Sequence, residues 1–396
     1  MTGAPVRRVY LISTAFQDDY EVGFANGLFR NGVPVTVVGA DLSRAGRLDR
    51  GIEFLNLRGD QDPRRPAWKK SLNIVRYFGA LARTALRARG AVFHTSGLFA
   101  LRRGLGVLFE ALWCRLVMRE WWLTVHNPLP HDDQTRINRL AFGVAYRLAD
   151  RLVVHTEATA AALARDFGVD RGRIQVVEHG IDRFVESDAG SRAESRARVR
   201  RRLSLPDHGV LMLVFGRVSR YKGVDTLLEA VDRAKLPDNT LVLIAGIGAS
   251  PDYRAELQAR MAAMRNPGRV VWRDEYVADD DIPDLLAAAD AMVLPYRRID
   301  QSGALFAAKS AGLPVIASDV GEFARYAEPG RDVLVPAGDV AALAEALSHV
   351  AAREPVDERA AHVEAARRAW AWQVTLRPYA ELVKLTRSGG ADQRIC

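Results

Sequence analysis

The sequence predicts an α/β protein made of two doubly wound parallel-sheet domains, and three observations carry that expectation. Short runs of Val, Ile, Leu and Phe alternate with helix-length segments along the whole chain, the pattern of successive βαβ units. With 396 residues the chain is long for a single hydrophobic core. Between the two sets of apolar runs, Glu186 to Arg202 is polar, arginine-dense and almost free of large apolar residues, so it reads as a linker.

In the first half, strands are expected at Val6–Ile12, Val35–Val38, Ile52–Leu55, Ala91–Phe93, Trp121–Val125, Arg151–Val154 and Ile174–Val177. The opening run, Val9 to Phe16, is stopped by Asp18-Asp19; that is the reach of a strand, not of an export signal. The longest apolar region, Gly97 to Met118, contains Arg102, Arg103, Glu110 and Arg115, too many charges for a membrane span. In the second half, strands are expected at Val210–Phe215, Thr240–Ala245, Val270–Trp272, Ala291–Leu294, Val315–Ala317 and Val333–Val335. Beyond Ala341 the pattern turns helical, with Trp370 and Trp372 ahead of a last helix near Pro378 to Leu385. The expected boundaries are therefore 1–186 and 187–375, with 376–396 as a final helix and tail.

Composition is that of a globular chain, with 48% hydrophobic and 26% charged residues. Cys114 and Cys396 are the only cysteines, so no disulfide framework exists and a reducing, cytoplasmic setting fits. The net charge of +8 lies wholly in the first half: residues 1–186 hold 27 Lys/Arg and 19 Asp/Glu, and residues 187–396 hold 29 of each. Within 58–119 there are 13 basic residues against Asp60, Asp62 and Glu110. Such a patch favours an anionic partner. No nucleic-acid motif accompanies it, so nucleic acid is not the expected partner. The aromatic-bearing region 58–122 instead fits docking on an anionic membrane, at its inner face, with a lipid-linked or anionic acceptor; the plain alternative is a core helix at Leu98–Met118 beneath solvated arginines.

Open α/β sheets bind ligands beyond the carboxyl ends of their strands, so polar residues just after strands are the candidates. The segment Leu213 to Ala230 reads as a strand, a turn carrying Gly216, Arg217 and Lys222, and an amphipathic helix. The segment Pro295 to Ser318 reads as a polar loop with Asp300 and Gln301, then a helix opening at Ser302-Gly303-Ala304. Two cations beside a helix N-terminus suit a doubly charged diphosphate: Arg offers a fixed fork, Lys a point charge, and the first helical amides are free donors. A diphosphate is the leaving group of a nucleotide-activated sugar, here a UDP- or GDP-sugar. Tyr276, after the strand at Val270–Trp272, is placed to stack on the base. In the first half, Thr124-Val-His-Asn-Pro-Leu-Pro-His131-Asp-Asp follows a strand. His126 points to the transferred group, Asn127 and His131 to the acceptor side, and His155 and His179 to the cleft wall. No Asp-x-Asp stands immediately after an expected strand, so no metal clamp of that kind has a candidate and the basic residues neutralise the diphosphate without a metal.

These blocks together resemble the family 4 glycosyltransferases of GT-B fold over roughly 350 residues. The matching motifs are Gly216-Arg217 with Lys222-Gly223, the block ending Gly312-Leu-Pro-Val-Ile-Ala-Ser318, Thr124-Val-His-Asn127, and Val177-Glu-His-Gly-Ile-Asp182 at the domain junction. The resemblance implies two Rossmann-like domains facing across a cleft, with the acceptor in the first domain and the donor nucleotide in the second. It also implies retention, Arg217 and Lys222 neutralising the diphosphate, His126 approaching the donor sugar, and a last helix that crosses back to the first domain. One departure stands out: the family's paired glutamates align with Ile299 and Ala307, neither acidic, leaving Asp300, Gln301 and Ser302 beside the donor. Losing a ribose hydrogen bond to a carboxylate costs about 1.5–3 kcal/mol unless something replaces it. Two rivals stay open: an inverting transferase with Asp132 or Asp133 as base, and a sugar-nucleotide-binding module without turnover.

Overall fold

The computed structural model describes residues 6–14, 18–41, 45–62, 64–98, 105–129, 135–185, 189–206, 208–353 and 358–385. The chain divides into two compact units: unit 1 comprises the residues up to Asp182 and those from Ala369 onward, and unit 2 is Arg183–Arg368.

In unit 1 the order is β1 (Val9–Ile12), α1 (Asp18–Arg30), β2 (Val35–Gly39), β3 (Glu53–Asn56), α2 (Ala67–Arg87), β4 (Val92–Thr95), α3 (Leu105–Val117), β5 (Trp121–Thr124), α4 (Arg136–Leu148), β6 (Arg151–Val154), α5 (Glu157–Phe167) and β7 (Ile174–Val176). The strands pair in parallel in the order β3-β2-β1-β4-β5-β6-β7. Central strands of a parallel sheet are covered on both faces, which is why β4 and β5 are buried at every residue. Side chains alternate between the faces: Trp121 and Leu123 join Phe93 and Leu152 on one side, while Trp122 joins Val92 and Val153 on the other. The first face is covered by α2, α3, α4 and α5.

Unit 2 runs α6 (Ala189–Arg202), β8 (Leu211–Phe215), α7 (Val224–Arg233), β9 (Leu241–Ala245), α8 (Pro251–Ala262), β10 (Val270–Arg273), α9 (Ile282–Ala288), β11 (Ala291–Leu294), α10 (Gly303–Ser310), β12 (Val315–Ser318), α11 (Phe323–Tyr326), β13 (Val333–Val335), α12 (Val340–Ala351) and α13 (Arg359–Trp370), whose last residues pass into unit 1. Its parallel sheet has the order β10-β9-β8-β11-β12-β13, so both units are doubly wound. Strands form where the apolar runs place them; the largest shift is at the first, which begins at Val9 rather than Val6.

The second face of the unit 1 sheet is covered by α1 together with α14 (Trp372–Thr375) and α15 (Arg377–Leu385). Trp372, Leu376, Tyr379 and Val383 are buried there against Phe24, Leu28, Val92 and Trp122. Gly23 and Gly27 make the approach feasible: a β-carbon at Gly23 would overlap the Trp372 indole, and one at Gly27 would lie 2.8 Å from the Trp372 backbone carbon. The return is anchored where Ile181 N–H donates to Trp370 O at 2.7 Å. The chain therefore re-enters unit 1 at Ala369, ahead of the expected residue 376, and leaves it after Asp182, ahead of 186.

The expected linker at Glu186 to Arg202 is a correction. Residues 189–202 form α6, which packs on α9 and is fastened by polar groups as well as by the buried Val199. Arg196 pairs with Asp290 at 2.9 Å, Arg198 with Asp284 at 2.7 Å, and Ser195 Oγ donates to Asp284 at 2.8 Å. Arg200, 1% exposed, donates to the carbonyls of Pro206, His208 and Gly209. Arginines that satisfy carbonyls and carboxylates thus hold a helix whose apolar side is small.

No helix among the described residues is long and apolar enough to cross a membrane.

Candidate functional site

In an open parallel sheet the strand order reverses at one point, where the flanking loops diverge and leave a crevice at the carboxyl ends. In unit 2 that point lies between β8 and β11, so it is bordered by loop 216–223 and loop 295–302. The first loop turns through Gly216 (φ 100°) and Gly223 (φ 67°), conformations that favour glycine. A β-carbon at Gly223 would overlap the Pro295 carbonyl, so this glycine lets the two loops touch. Arg297 fastens them: its amide donates to Tyr221 O at 2.7 Å, and its guanidinium reaches Arg220 O at 2.9 Å, Thr226 Oγ1 at 3.2 Å and the Asp225 carboxylate. Tyr253 OH donates to Asp225 from the far side at 2.8 Å.

This frame holds Lys222, which is only 9% exposed and has no carboxylate partner among the described residues. Its ammonium lies 5.3 Å from the centre of the Tyr296 ring and 3.2 Å from where a Gly216 β-carbon would be. Burial pushes the Lys222 pKa down, as expected for a cation removed from water without a counter-charge. Tyr296 is buried, its phenol pushed up to about 12 by burial, and it accepts a hydrogen bond from Ser302 Oγ at 3.3 Å. One ring thus touches both Lys222 and Ser302. Ser302 sits ahead of α10 in extended backbone without capping it, and nothing lies within 4 Å of a β-carbon built on Gly303. The first amides of α10, at Gly303 and the buried Ala304, directly follow the serine that donates to Tyr296, the ring on which the Lys222 ammonium sits. Ser219 Oγ, in the loop between Arg217 and Lys222, is buried with no hydrogen-bond partner among the described residues. One loop thus carries both a buried hydroxyl and a buried ammonium whose removal from water is uncompensated within the chain.

Arg217 is exposed, unpaired among the described residues, and its stem runs along Gly248 after β9. Tyr276, beyond β10, is 70% exposed. Asp300 is exposed and Gln301 half-buried; the Asp300 carbonyl accepts from the Glu322 amide at 3.2 Å. That contact brings a second acidic residue onto the loop. Sequence reasoning passed over Tyr296, Ser219 and Glu322; for Tyr296 the only signal was its position just past a buried strand.

In unit 1 the reversal lies between β1 and β4. Here Glu21 of α1, 3% exposed, accepts from Thr14 N at 2.6 Å, Thr14 Oγ1 at 2.9 Å, Ser96 Oγ at 2.5 Å and Ser13 Oγ. It ties the ends of β1 and β4 together. His126, half-buried just past β5, donates from Nε2 to Ser96 O at 3.0 Å, which leaves Nδ1 as an acceptor. The expected cleft-wall histidines, His155 and His179, gather with His126 on one aromatic ring: His126, His155 and His179 lie 4.8, 5.3 and 5.6 Å from the centre of Tyr20, which also packs on Trp372. Burial pushes His126 down to about 3 and His155 to about 4, and holds His179 well below its usual value. His94, which sequence reasoning missed, is also pushed to about 3 by burial and is held by Tyr379 OH at 2.9 Å and Thr124 Oγ1 at 2.7 Å. The cluster is neutral at neutral pH and offers hydrogen bonds rather than charge. Asn127 is half-buried on the His126 loop, while His131, Asp132 and Asp133 lie outside the described residues.

Comparison with known proteins bears on the family and the fold. The family "Glycosyltransferase Family 4" matches residues 22–183, and "Glycosyl transferases group 1" matches residues 209–353. A D-inositol 3-phosphate glycosyltransferase of Salinispora tropica is 31% identical over 63% of this chain and 54% of its own length. The Streptomyces avermitilis protein of the same name is 32% identical over 50% of this chain and 44% of its own. The chain thus spans about half the length of the curated relatives it matches. Among solved structures, Anabaena HepE in complex with UDP and glucose superposes with a TM-score of 0.69 at 16% identity, over 95% of this chain and 99% of that one. A glycosyltransferase from Rickettsia africae gives 0.70 at 16% identity, over 98% and 100%. At such identity these structures show the fold, two Rossmann-like domains of GT-B type. With the two family matches falling on its two sheets, the chain belongs to the family 4 glycosyltransferases.

Proposed function

We propose that this protein transfers a hexose from a nucleoside diphosphate sugar, with UDP or GDP as the nucleotide, to an acceptor hydroxyl with retention of configuration. The observation that carries the reading is Lys222, a nearly buried ammonium with no carboxylate partner among the described residues, held by Tyr296 beside the opening of α10. A diphosphate would supply the missing negative charge. Breaking the sugar–phosphate bond builds charge on the β-phosphate, and Lys222, Arg217 and the amides from Ser302 to Ala304 would stabilise it there. The departing phosphate accepts the acceptor proton, so the reading needs neither a side-chain base nor a metal. Tyr276 stacks on the base, and Asp300 with Gln301 replaces the ribose contact that Ala307 cannot make. His126, with Asn127 and His131 on its loop, receives the sugar and acceptor; the neutral His126 offers Nδ1 to a sugar hydroxyl. The acceptor is lipid-linked, at the inner face of a membrane, in glycan, polysaccharide or glycolipid assembly. HepE in its crystals binds UDP and UDP-glucose, which supports UDP among the donors to test first.

The test is donor turnover with Arg217→Ala, a substitution at an exposed residue. A rate loss of about 10²–10³ with an unchanged melting temperature is expected from loss of one transition-state contact. A rate near that of the parent chain would remove Arg217 from the mechanism. Anomeric assignment of the product by NMR separates retention from inversion, and a chain that binds donor but never turns it over would be a binding module.

A further inference from the structure

Helices α2, α3 and α4 lie side by side on one face of the unit 1 sheet, each burying one side in the same core. Their opposite sides carry exposed apolar side chains as well. On α3, Phe109, Leu112 and Leu116 follow the i, i+3, i+7 spacing of one helical stripe and are 52%, 50% and 84% exposed. Trp68, Leu72 and Val75 repeat that arrangement on α2, and Ile137 with Leu140 on α4. The α2 and α3 layers interlock through Phe78, whose ring lies 4.8 Å from Trp113 and 6.0 Å from Phe109. A water-facing side of a helix is normally polar, and apolar stripes on three neighbouring helices mark a contact surface.

Charge identifies what fits it. α2 carries two lysines and three arginines and no carboxylate, and α4 carries three arginines and no carboxylate. The one acidic residue of α3, Glu110, is buried at 3% exposure. Arg76, Arg83, Arg87, Arg115 and Arg136 pair with no carboxylate among the described residues. A second copy of the chain would bring like charge against like. A nucleic acid would leave the leucines uncovered. Apolar side chains set among unpaired cations match the interface of a bilayer rich in anionic lipid, where the chains enter the acyl boundary and the cations meet headgroups.

We propose that the outer face of α2, α3 and α4 is a membrane-docking surface for anionic lipid, inserting Phe109, Leu112 and Leu116. It deepens the reading of unit 1 as the acceptor-holding unit by naming how that unit reaches a lipid-linked acceptor.

The experiment is sedimentation of the full chain with vesicles of phosphatidylcholine alone or with added phosphatidylglycerol, at low and at 0.5 M salt. Binding at least tenfold tighter to the anionic vesicles, and lost at high salt, is expected. Leu112→Glu with Leu116→Glu should lower that binding at least tenfold, with melting temperature and nucleotide-induced stabilisation unchanged because both residues face outward. Equal binding to neutral vesicles, no binding at low salt, or a double variant that binds like the parent would each overturn the proposal. Retention on heparin with the same affinity as on vesicles would overturn it too, assigning the face to a polyanion. UDP-induced stabilisation is read in the same samples, so loss of the donor reading and loss of the docking face are told apart.

Discussion

Replacing Lys222 with Met removes a charge and keeps the stem, and the structure sets opposite expectations for stability and for binding. In the free protein two terms oppose. The substitution loses the cation–π contact with Tyr296, worth about 0.5–2 kcal/mol, but also relieves the burial of an ammonium with no counter-charge. Neither dominates, so the melting temperature should stay within about 3 °C of the parent, since 1 kcal/mol shifts a unit of this size by about 2–4 °C. Binding has no such cancellation. A hydrogen bond to a charged phosphate contributes about 1.5–3 kcal/mol, and at 1.4 kcal/mol per decade its loss weakens affinity roughly 10- to 150-fold. Isothermal titration with UDP and GDP reads the second quantity, and a thermal melt without ligand reads the first. A large fall in melting temperature with unchanged nucleotide affinity would refute the reasoning: Lys222 would then be a structural cation, and the site would have to be sought elsewhere.

Gly27→Ala should destabilise unit 1 by about 1–2 kcal/mol in thermal or urea unfolding. The added methyl lies 2.8 Å from a Trp372 backbone atom that cannot swing aside, and overpacking outweighs the gain of about 0.5–1 kcal/mol in helix propensity. Lys309→Met should cost about 3–5 kcal/mol of unit 2 stability, because Lys309 pairs with Glu328 at 2.9 Å and with Asp332, whose carboxylate is 1% exposed and would be left charged and buried; a loss below about 1 kcal/mol would contradict it. Acid should begin to destabilise unit 1 through its buried histidines. His94, His126 and His155 have folded values of about 3 to 4, below their unfolded values of about 6.5, so the unfolded chain binds more protons in between. Their contribution is complete above about pH 6.5 and declines toward pH 4, and a melting temperature that is flat across that interval would exclude it.

The two sheets were legible because parallel strands are buried on both faces and their apolar runs survive as contiguous blocks; Ala291–Leu294 is an example whose ends match to the residue. The loops that border the reversal between β8 and β11 were legible for a related reason, since Gly216, Arg217, Lys222 and Ser302 stand at fixed offsets from such blocks. The helix α6 was not, because its anchors are arginines and carboxylates, and a polar segment that pairs with distant groups looks in sequence like one that pairs with water. Nor was the gathering of His126, His155 and His179 on Tyr20, as their sequence separations carry no period. The early return at Ala369 was hidden for the same reason: only the fold shows that Trp372 fits over glycines on α1.

The pairing of α14 and α15 with α1 has a consequence for biosynthesis. Unit 1 is assembled from two separate stretches of the chain, with the whole of unit 2 threaded between them. On the ribosome, the second face of the sheet formed by β1 to β7 has only α1 to cover it until everything up to Val383 has emerged. At about 5–20 residues per second that delay is roughly ten to forty seconds, long enough for Val92, Trp122 and Phe24 to need shielding by a chaperone. Unit 2, contiguous in sequence, can complete its own core first, so the nascent chain matures from the middle outward.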